Sequence, residues 1–507
     1  MLVSIYLDRR PYSMIVYKQE RLTLFLSHAP ARFILLSALV SAVGILFPSF
    51  WFLTIIGTSV YLFLLWRTQP TVQRALFFGL LFGSVTSGAG VWWFWHTLPV
   101  TWIGIPDGPI QYLVIFVAWI SATFALALPH TLFAALAVAT RGRALSLLTI
   151  TLAWPLLEWA RMFVFSAWVL APESLLESYF SIAGFGNVLA EAPLLLQFAS
   201  LGGVYALHAV FGALCASIAL FLFSLELFSR RLLYISIGTL ATTLAIPFWL
   251  NYTPVANTDT ARVALVSLAI PAGSAPDMPR IARIMASFSE VDRKPEVIVF
   301  PEGYRLSLVN DPTVRRILFQ DTDALLINSL YIPENDKEGY GSIEFESTTH
   351  GIVGSHNKTV LVPLGEYLPS ALQFLYTLLD GDTLESYLTT QEQRRTLRGS
   401  TATPFTYDGV TYGALLCSEI LSPEIYRSLA NDGAQILINV ANNAWFHGSP
   451  LVYEKTLQLA KIHAVYSRKY FLTASNQSPS FVISPQGVVV AETRWGEEVP
   501  LVFDVPL

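Results

Sequence analysis

Charge is what this sequence has least of. Only 13% of its 507 residues are Asp, Glu, Lys or Arg, against about 25% in an ordinary soluble domain. The shortage is uneven. The first half runs for long stretches almost without charge, whereas the second half has an ordinary balance. Cysteine is scarce too: Cys215 and Cys417 are the only two, far apart, which excludes a disulfide framework. With a net charge of −5 and no dense basic patch, a nucleic-acid partner is excluded. The chain lacks HExxH, GxSxG, a Walker loop and GxGxxG, so zinc-protease, serine-elbow, P-loop and dinucleotide chemistries have no support. His356 and His447 have no metal-ligand company at useful spacing.

What is present is apolar length. A membrane-crossing helix needs about 20 apolar residues. Seven segments qualify, near 33–49, 50–66, 75–98, 110–138, 144–163, 194–228 and 232–250. Residues 1–32 then read as a cytoplasmic N-terminal segment, 33–250 as a membrane domain of about seven helices, and 251–507 as a water-soluble domain. The N-terminus is long and charged, with no small-residue cleavage site after a short apolar core, so the first apolar segment is expected to stay as an anchor. Basic residues set the orientation. Arg9, Arg10, Lys18, Arg21 and Arg32 precede span one; Arg67 and Arg74 follow span two; Arg141 and Arg143 follow span four; Arg230 and Arg231 follow span six. These are alternate loops, and the loops between them, "PVTWIGIPDGP" and "SLLESYFSIAGFGNVLAEAP", carry no Lys or Arg. The reading is a cytoplasmic N-terminus, with everything after residue 250 on the far side. Within the spans, Glu158 and Arg161 sit three apart on one helix face. They make either a local ion pair or a candidate lipid head-group site. Trp92, Trp93 and Trp95 read as an interfacial aromatic belt, with His96 as a polar partner, and Cys215 as membrane packing.

The second half alternates strand-like and helix-like runs, the mark of a layered α/β fold. "RVALVSLAI", "EVIVFPE", "ALLINSLYI", "TYGALLC" and "AQILINVAN" are short, apolar and rich in β-branched residues, as buried strands are. "MPRIARIMASFSEV" and "LVYEKTLQLAKIHAVYSRK" are helical by period, and "SPSFVISPQGVVVAETR" is a hairpin turning at 485–487. Residues 370–405 read as a mobile excursion with an apolar edge.

Three candidates for chemistry sit at strand ends: Glu302, Lys358 and Cys417. Strands of one sheet would bring those ends to a common edge. A thiol attacks a carbonyl as thiolate. A helix beginning at Ser418 would lower its pKa, and a carboxylate could take its proton. An ammonium could stabilise the resulting oxyanion, and the acyl group would rest as a thioester until a second nucleophile removed it. Against this, a cysteine at a strand end is more often a small core residue, and Glu302 and Lys358 could be a turn acid and a solvated amine.

At these motifs the chain resembles a known family. "FPEG", "NKTVLVPLGEYLP", "GALLCSEILSPE" and "NVANNAWFHGS" are similar to successive signatures of the nitrilase superfamily, in the version found in bacterial apolipoprotein N-acyltransferases, and "SGAGVWWFW" and "EWARMF" extend the resemblance into the membrane half. The resemblance implies an α-β-β-α sandwich following a polytopic helical membrane domain. It also implies a ping-pong acyl transfer in the bacterial inner membrane with a periplasmic catalytic domain. Glu302 would be the general base, Lys358 the stabiliser and Cys417 the nucleophile, with Glu366 and Glu419 as supporting carboxylates. The implied partners are a phospholipid acyl donor and a lipoprotein acceptor bearing diacylglyceryl-cysteine; no cofactor or metal is implied. Four features depart from the family pattern: Ser418 where a tyrosine is usual, no tryptophan shortly after the first strand of the domain, "TASNQS" in place of an "STNNG"-like strand, and no eighth apolar span before "LVFDVPL". They keep open an alternative, a membrane-anchored amidase or acyltransferase with another acceptor, such as the nitrilase-like proteins of conjugative plasmid transfer.

Overall fold

The computed structural model describes residues 30–101, 107–141, 144–250, 259–272, 274, 280, 283–284, 286, 294–303, 324–335, 338–379 and 395–507. The expected N-terminal segment is outside them up to residue 29, as are Arg143, most of "MPRIARIMASFSEV" and residues 380–394 of the expected excursion.

The apolar first half folds as helices α1 (Pro30–Leu46), α2 (Trp51–Thr68), α3 (Val72–Gly90), α4 (Pro109–Ala139), α5 (Ala144–Trp168), α6 (Ala199–Glu226) and α7 (Arg230–Ala245). Six segments are long and apolar enough to cross a membrane: Pro48–Thr68, Val72–Thr97, Pro109–Ala139, Leu145–Trp168, Ala199–Glu226 and Arg230–Leu250. The first of the seven expected spans is the shorter apolar helix α1, 17 residues, at the lower limit for spanning. The expected sixth span is also shorter than its apolar run. Residues from Phe185 to Leu196 form a 3₁₀ turn (Phe185–Glu191) and one helical turn before α6 begins. Leu132, Leu152 and Leu156 point outward and exposed, as lipid-facing residues do. The ends of α2, α4 and α6 meet on one side, where Arg67 pairs with Glu226 at 3.3 Å and Trp66 Nε1 donates to the Ala137 carbonyl.

The second half contains two sheets. One has the order β13-β1-β2-β3-β4-β5, from β1 (Thr260–Val266), β2 (Val297–Val299), β3 (Leu325–Pro333), β4 (Glu338–Ser347), β5 (Gly351–Asn357) and β13 (Pro500–Pro506), with the two-residue β6 (Arg395–Thr396) beside β4. The other has the order β12-β11-β10-β9-β8-β7, from β7 (Phe405–Tyr407), β8 (Val410–Leu416), β9 (Ile436–Asn442), β10 (Tyr470–Asn476), β11 (Phe481–Ile483) and β12 (Val489–Glu492). All five strands expected from apolar runs form. The two sheets bury alternate residues against each other: Val263, Leu265, Val299 and Ile327 from one meet Leu416, Ile438, Val440 and Leu472 from the other. That alternation is the period of two that a strand imposes.

The outer face of the second sheet carries α9 (Ile425–Asn431) and α10 (Pro450–Ser467), and a further helix, α8 (Ser370–Leu379), follows the first sheet in the chain. Helix α10 is buried on nearly every side, since one face covers Phe471 and Phe481 while the other lies on the membrane half. Three anchors fix it there. Lys455 Nζ donates to the Ile45 carbonyl, capping the end of α1; Lys461 Nζ pairs with Glu191 at 3.1 Å; Gln458 donates to the same carboxylate. The kink in α6 at Gly203 (φ +56°) takes the ring of Tyr466, which a Cβ at that position would meet at 2.8 Å. The second half is thus docked on the face opposite to the Arg67 side of the helices.

Candidate active site

Glu302 follows β2, Lys358 follows β5, and Cys417 follows β8. The first two leave one sheet and the third leaves the other, so the expectation of a single sheet edge is corrected: the three converge across the seam of the sandwich. Pairing of β4 with β5 brings Lys358 to Gly341, whose carbonyl accepts the Lys358 amide N–H at 2.8 Å. Past Glu302, Gly303 adopts φ +84° and its N–H donates to Ser329 Oγ, which fixes the turn that carries the carboxylate.

Lys358 is almost wholly buried. Its Nζ lies 2.9 Å from Glu366 Oε1 and 3.3 Å from Glu302 Oε1. Burial works against its charge, yet Glu302, Glu366 and Cys417 hold its pKa above the ordinary lysine range. Glu366 is fixed by the Val362 N–H at 2.7 Å. Burial raises its pKa, and the repulsion of Glu302 adds to that rise beyond what Lys358 offsets.

Cys417 is partly exposed and adopts φ +37° at the first position of a 3₁₀ turn, Cys417–Leu421. This left-handed backbone is unfavourable for a residue with a side chain. The expectation that a helix start lowers the thiol pKa is corrected. Burial raises it, and so does the Glu302 carboxylate, with only partial relief from Lys358 and the Asn442 backbone N–H. A five-residue turn has too little dipole to outweigh a neighbouring carboxylate in a desolvated site. The resting sulfur is therefore a thiol that needs a base, and the neighbouring Glu302 carboxylate is placed to be one. Moving the proton from sulfur to Glu302 leaves the total charge of the cluster unchanged. Such a transfer avoids creating a third anion beside a single ammonium, and Lys358 can then face the charge that builds on an attacked carbonyl oxygen.

Glu419 is buried and ties the two halves of the seam together. One oxygen accepts from Thr359 N–H at 2.8 Å and Thr359 Oγ1 at 2.7 Å, with His356 Nε2 at 3.4 Å; the other accepts from Leu416 N–H at 2.8 Å. Burial opposes its charge, but these donors hold its pKa below the ordinary carboxylate value. Ser418 is buried and donates to the Val360 carbonyl. Sequence reasoning missed the bracing roles of His356, Thr359 and Asn442. Their only linear signal was proximity to Lys358 and to the end of a strand. No group of three or more metal-binding side chains occurs among the described residues.

Glu158 and Arg161 lie outside this cluster. They form a fully buried ion pair of 2.6 Å inside the helical half, and the second Glu158 oxygen accepts the Phe185 N–H.

Residues 318–507 match the carbon-nitrogen hydrolase family model. The hydrolase region so defined holds Lys358, Glu366, Cys417 and Glu419 and begins downstream of Glu302. Curated relatives named apolipoprotein N-acyltransferase match part of the chain. One from Aquifex aeolicus (strain VF5) is 25% identical over 216 residues, covering 42% of this chain and 46% of its own. One from Rhizobium etli (strain CIAT 652) is 30% identical over 216 residues, covering 40% and 38%. The chain thus spans about half the length, or less, of the curated relatives it matches. Among solved structures, an amidase of the nitrilase superfamily from Nesterenkonia superposes with a TM-score of 0.36 at 18% identity, covering 50% of this chain and 92% of that one.

Proposed function

We propose that this chain is a phospholipid-dependent N-acyltransferase that acylates the α-amine of diacylglyceryl-cysteine in lipoproteins. The observation that carries the reading is the Glu302–Lys358–Cys417 cluster at the seam of a hydrolase sandwich docked on apolar helices. Glu302 takes the thiol proton as Cys417 Sγ attacks the ester carbonyl of a phospholipid, and Lys358 stabilises the tetrahedral oxyanion. The C–O bond breaks, the proton passes from Glu302 to the leaving oxygen, and a lysophospholipid departs. The acceptor amine then attacks the thioester, gives a proton to Glu302, and expels the sulfur, which regains that proton. Glu366 and Glu419 hold Lys358 and the cysteine turn in place. The named relatives support the acceptor, and the apolar helices support a donor drawn from the bilayer. The alternate basic loops support a cytoplasmic N-terminus and a periplasmic site in the inner membrane, with domain limits near residues 32 and 250. The head-group reading of Arg161 rests on its two outer guanidinium nitrogens, which are buried and without a partner among the described residues; it requires the helical half to open.

The test is intact-mass analysis of the full chain in nanodiscs containing isotope-labelled phospholipid. An acyl adduct that appears on wild type, is absent from Cys417→Ala, and is discharged by a diacylglyceryl-cysteine peptide is the expected result. No lipid adduct together with turnover of simple amides would replace the proposal with a membrane-anchored amidase.

A further inference from the structure

The turn that carries Cys417 is gripped at both ends, and one grip comes from the membrane half. At its start, Glu419 accepts the Leu416 N–H and binds Thr359. At its end two carbonyls point away from the sheet. Ile420 O meets His463 Nε2 at 2.9 Å, from α10. Leu421 O meets Ser181, which donates twice, from its N–H at 3.2 Å and its Oγ at 2.6 Å. Terminal carbonyls of a helical turn lack partners within the turn, so what satisfies them fixes where the turn ends.

Ser181 is fully buried and belongs to the loop between α5 and α6. That loop has its own footing. The Ser181 carbonyl accepts from Asn187 Nδ2 at 2.6 Å and from the Gly184 N–H at 3.2 Å. The Gly186 N–H donates to His208 Nδ1 at 2.8 Å, and the Phe185 N–H to Glu158, itself locked by Arg161. A side chain at Gly186 would strike His208 Nδ1 at 2.3 Å, so the loop lies directly on α6. A continuous set of hydrogen bonds therefore runs from a buried ion pair in the helices to the far end of the cysteine turn.

We propose that Ser181 is a positioning residue for Cys417. A cysteine held at φ +37° persists only where its surroundings over-determine it. Ser181 supplies that determination from outside the catalytic half, keeping the turn closed and the sulfur within reach of Glu302 and Lys358. The proposal rests on Cys417 being the nucleophile of the reaction above, and it makes the helices part of the catalytic geometry as well as an anchor.

The experiment uses the full chain in nanodiscs with Ser181→Ala, which removes the hydroxyl, and Ser181→Thr, which returns it. Two quantities are read: the rate constant for alkylation of Cys417 by iodoacetamide across a pH series, and kcat and KM for acyl transfer from phospholipid. Ser181→Ala is expected to displace the alkylation profile and to lower kcat about tenfold with the donor KM unchanged, and Ser181→Thr to restore both. A role confined to stability would reduce the folded fraction but leave the profile and the kcat per titratable thiol unaltered. Superimposable profiles for the three proteins overturn the proposal. If Ser181→Ala is recovered unfolded, His463→Gln and Asn187→Ala, which loosen the same grip, are read in its place against the same two outcomes. Alkylation needs no lipid, so a displaced profile in protein that forms no acyl adduct would sink the acyltransferase reading alone.

Discussion

Two buried clusters of opposite charges, one in each half of the molecule, differ in their balance. In the helical half, Glu158 and Arg161 are one anion and one cation, closed on each other and on a backbone N–H. In the sandwich, Lys358 faces two carboxylates, Glu302 and Glu366, with a thiol beside them. The balanced pair holds backbone, through the Phe185 N–H. An unbalanced cluster keeps one carboxylate ready to accept a proton. In the proposed reading, burial of charge does not mark chemistry, whereas surplus beside a thiol does.

Breaking the surplus should produce the largest effect. Lys358→Met leaves two carboxylates facing a thiol without a cation. Acyl transfer is expected to fall about 10²–10³-fold and stability by about 3 kcal/mol, read as thioester formation rate and apparent melting temperature. An active Lys358→Met would end the contrast. Next comes the balanced pair. Arg161→Met alone strands Glu158 and is expected to cost about 3 kcal/mol, whereas adding Glu158→Gln should recover more than half of it. Loss of alkylation reactivity at Cys417 in the single variant, regained in the double, would sharpen the link between the two clusters.

The remaining two tests use pH. The folded pKa of Glu419 is depressed, so its contribution is present above the unfolded carboxylate pKa and is lost as pH falls through the folded value. Wild type should therefore lose more of its apparent melting temperature than Glu419→Gln between about pH 5 and pH 3. Lys455 gives the same sign in a higher window. Burial pushes its pKa down to about 8, against the attraction of Glu191 and Glu454. Between there and the unfolded lysine value near 10.4 the unfolded chain binds more protons, so stability rises with pH across that window. Lys455→Met is expected to flatten that rise, the smallest of the four effects.

Much of the fold was legible because it is written locally. Uninterrupted apolar length marked the spans, and five apolar runs marked β1, β2, β3, β8 and β9, each buried on both faces. Two of the strands that escaped notice have weaker signatures. β4 is "EGYGSIEFES" and β5 is "GIVGSHN", with glycine and polar residues where a buried strand would have valine. They became visible only through their pairing with β3 and with each other. The candidate site was legible as residue types at strand ends and through the family resemblance. The bonds of Glu419 to Thr359, and of Ser181 to Leu421 across 240 residues, have no linear signal.

The sequence by itself determined which segments avoid water, because hydrophobicity and period act over a few turns or strands of contiguous chain. Tertiary structure alone decided that Glu302 and Lys358 would leave one sheet, Cys417 the other, and Ser181 the helices, yet all serve one small volume. That convergence depends on how separately formed layers pack, and packing is set by contacts among residues with no fixed separation along the chain.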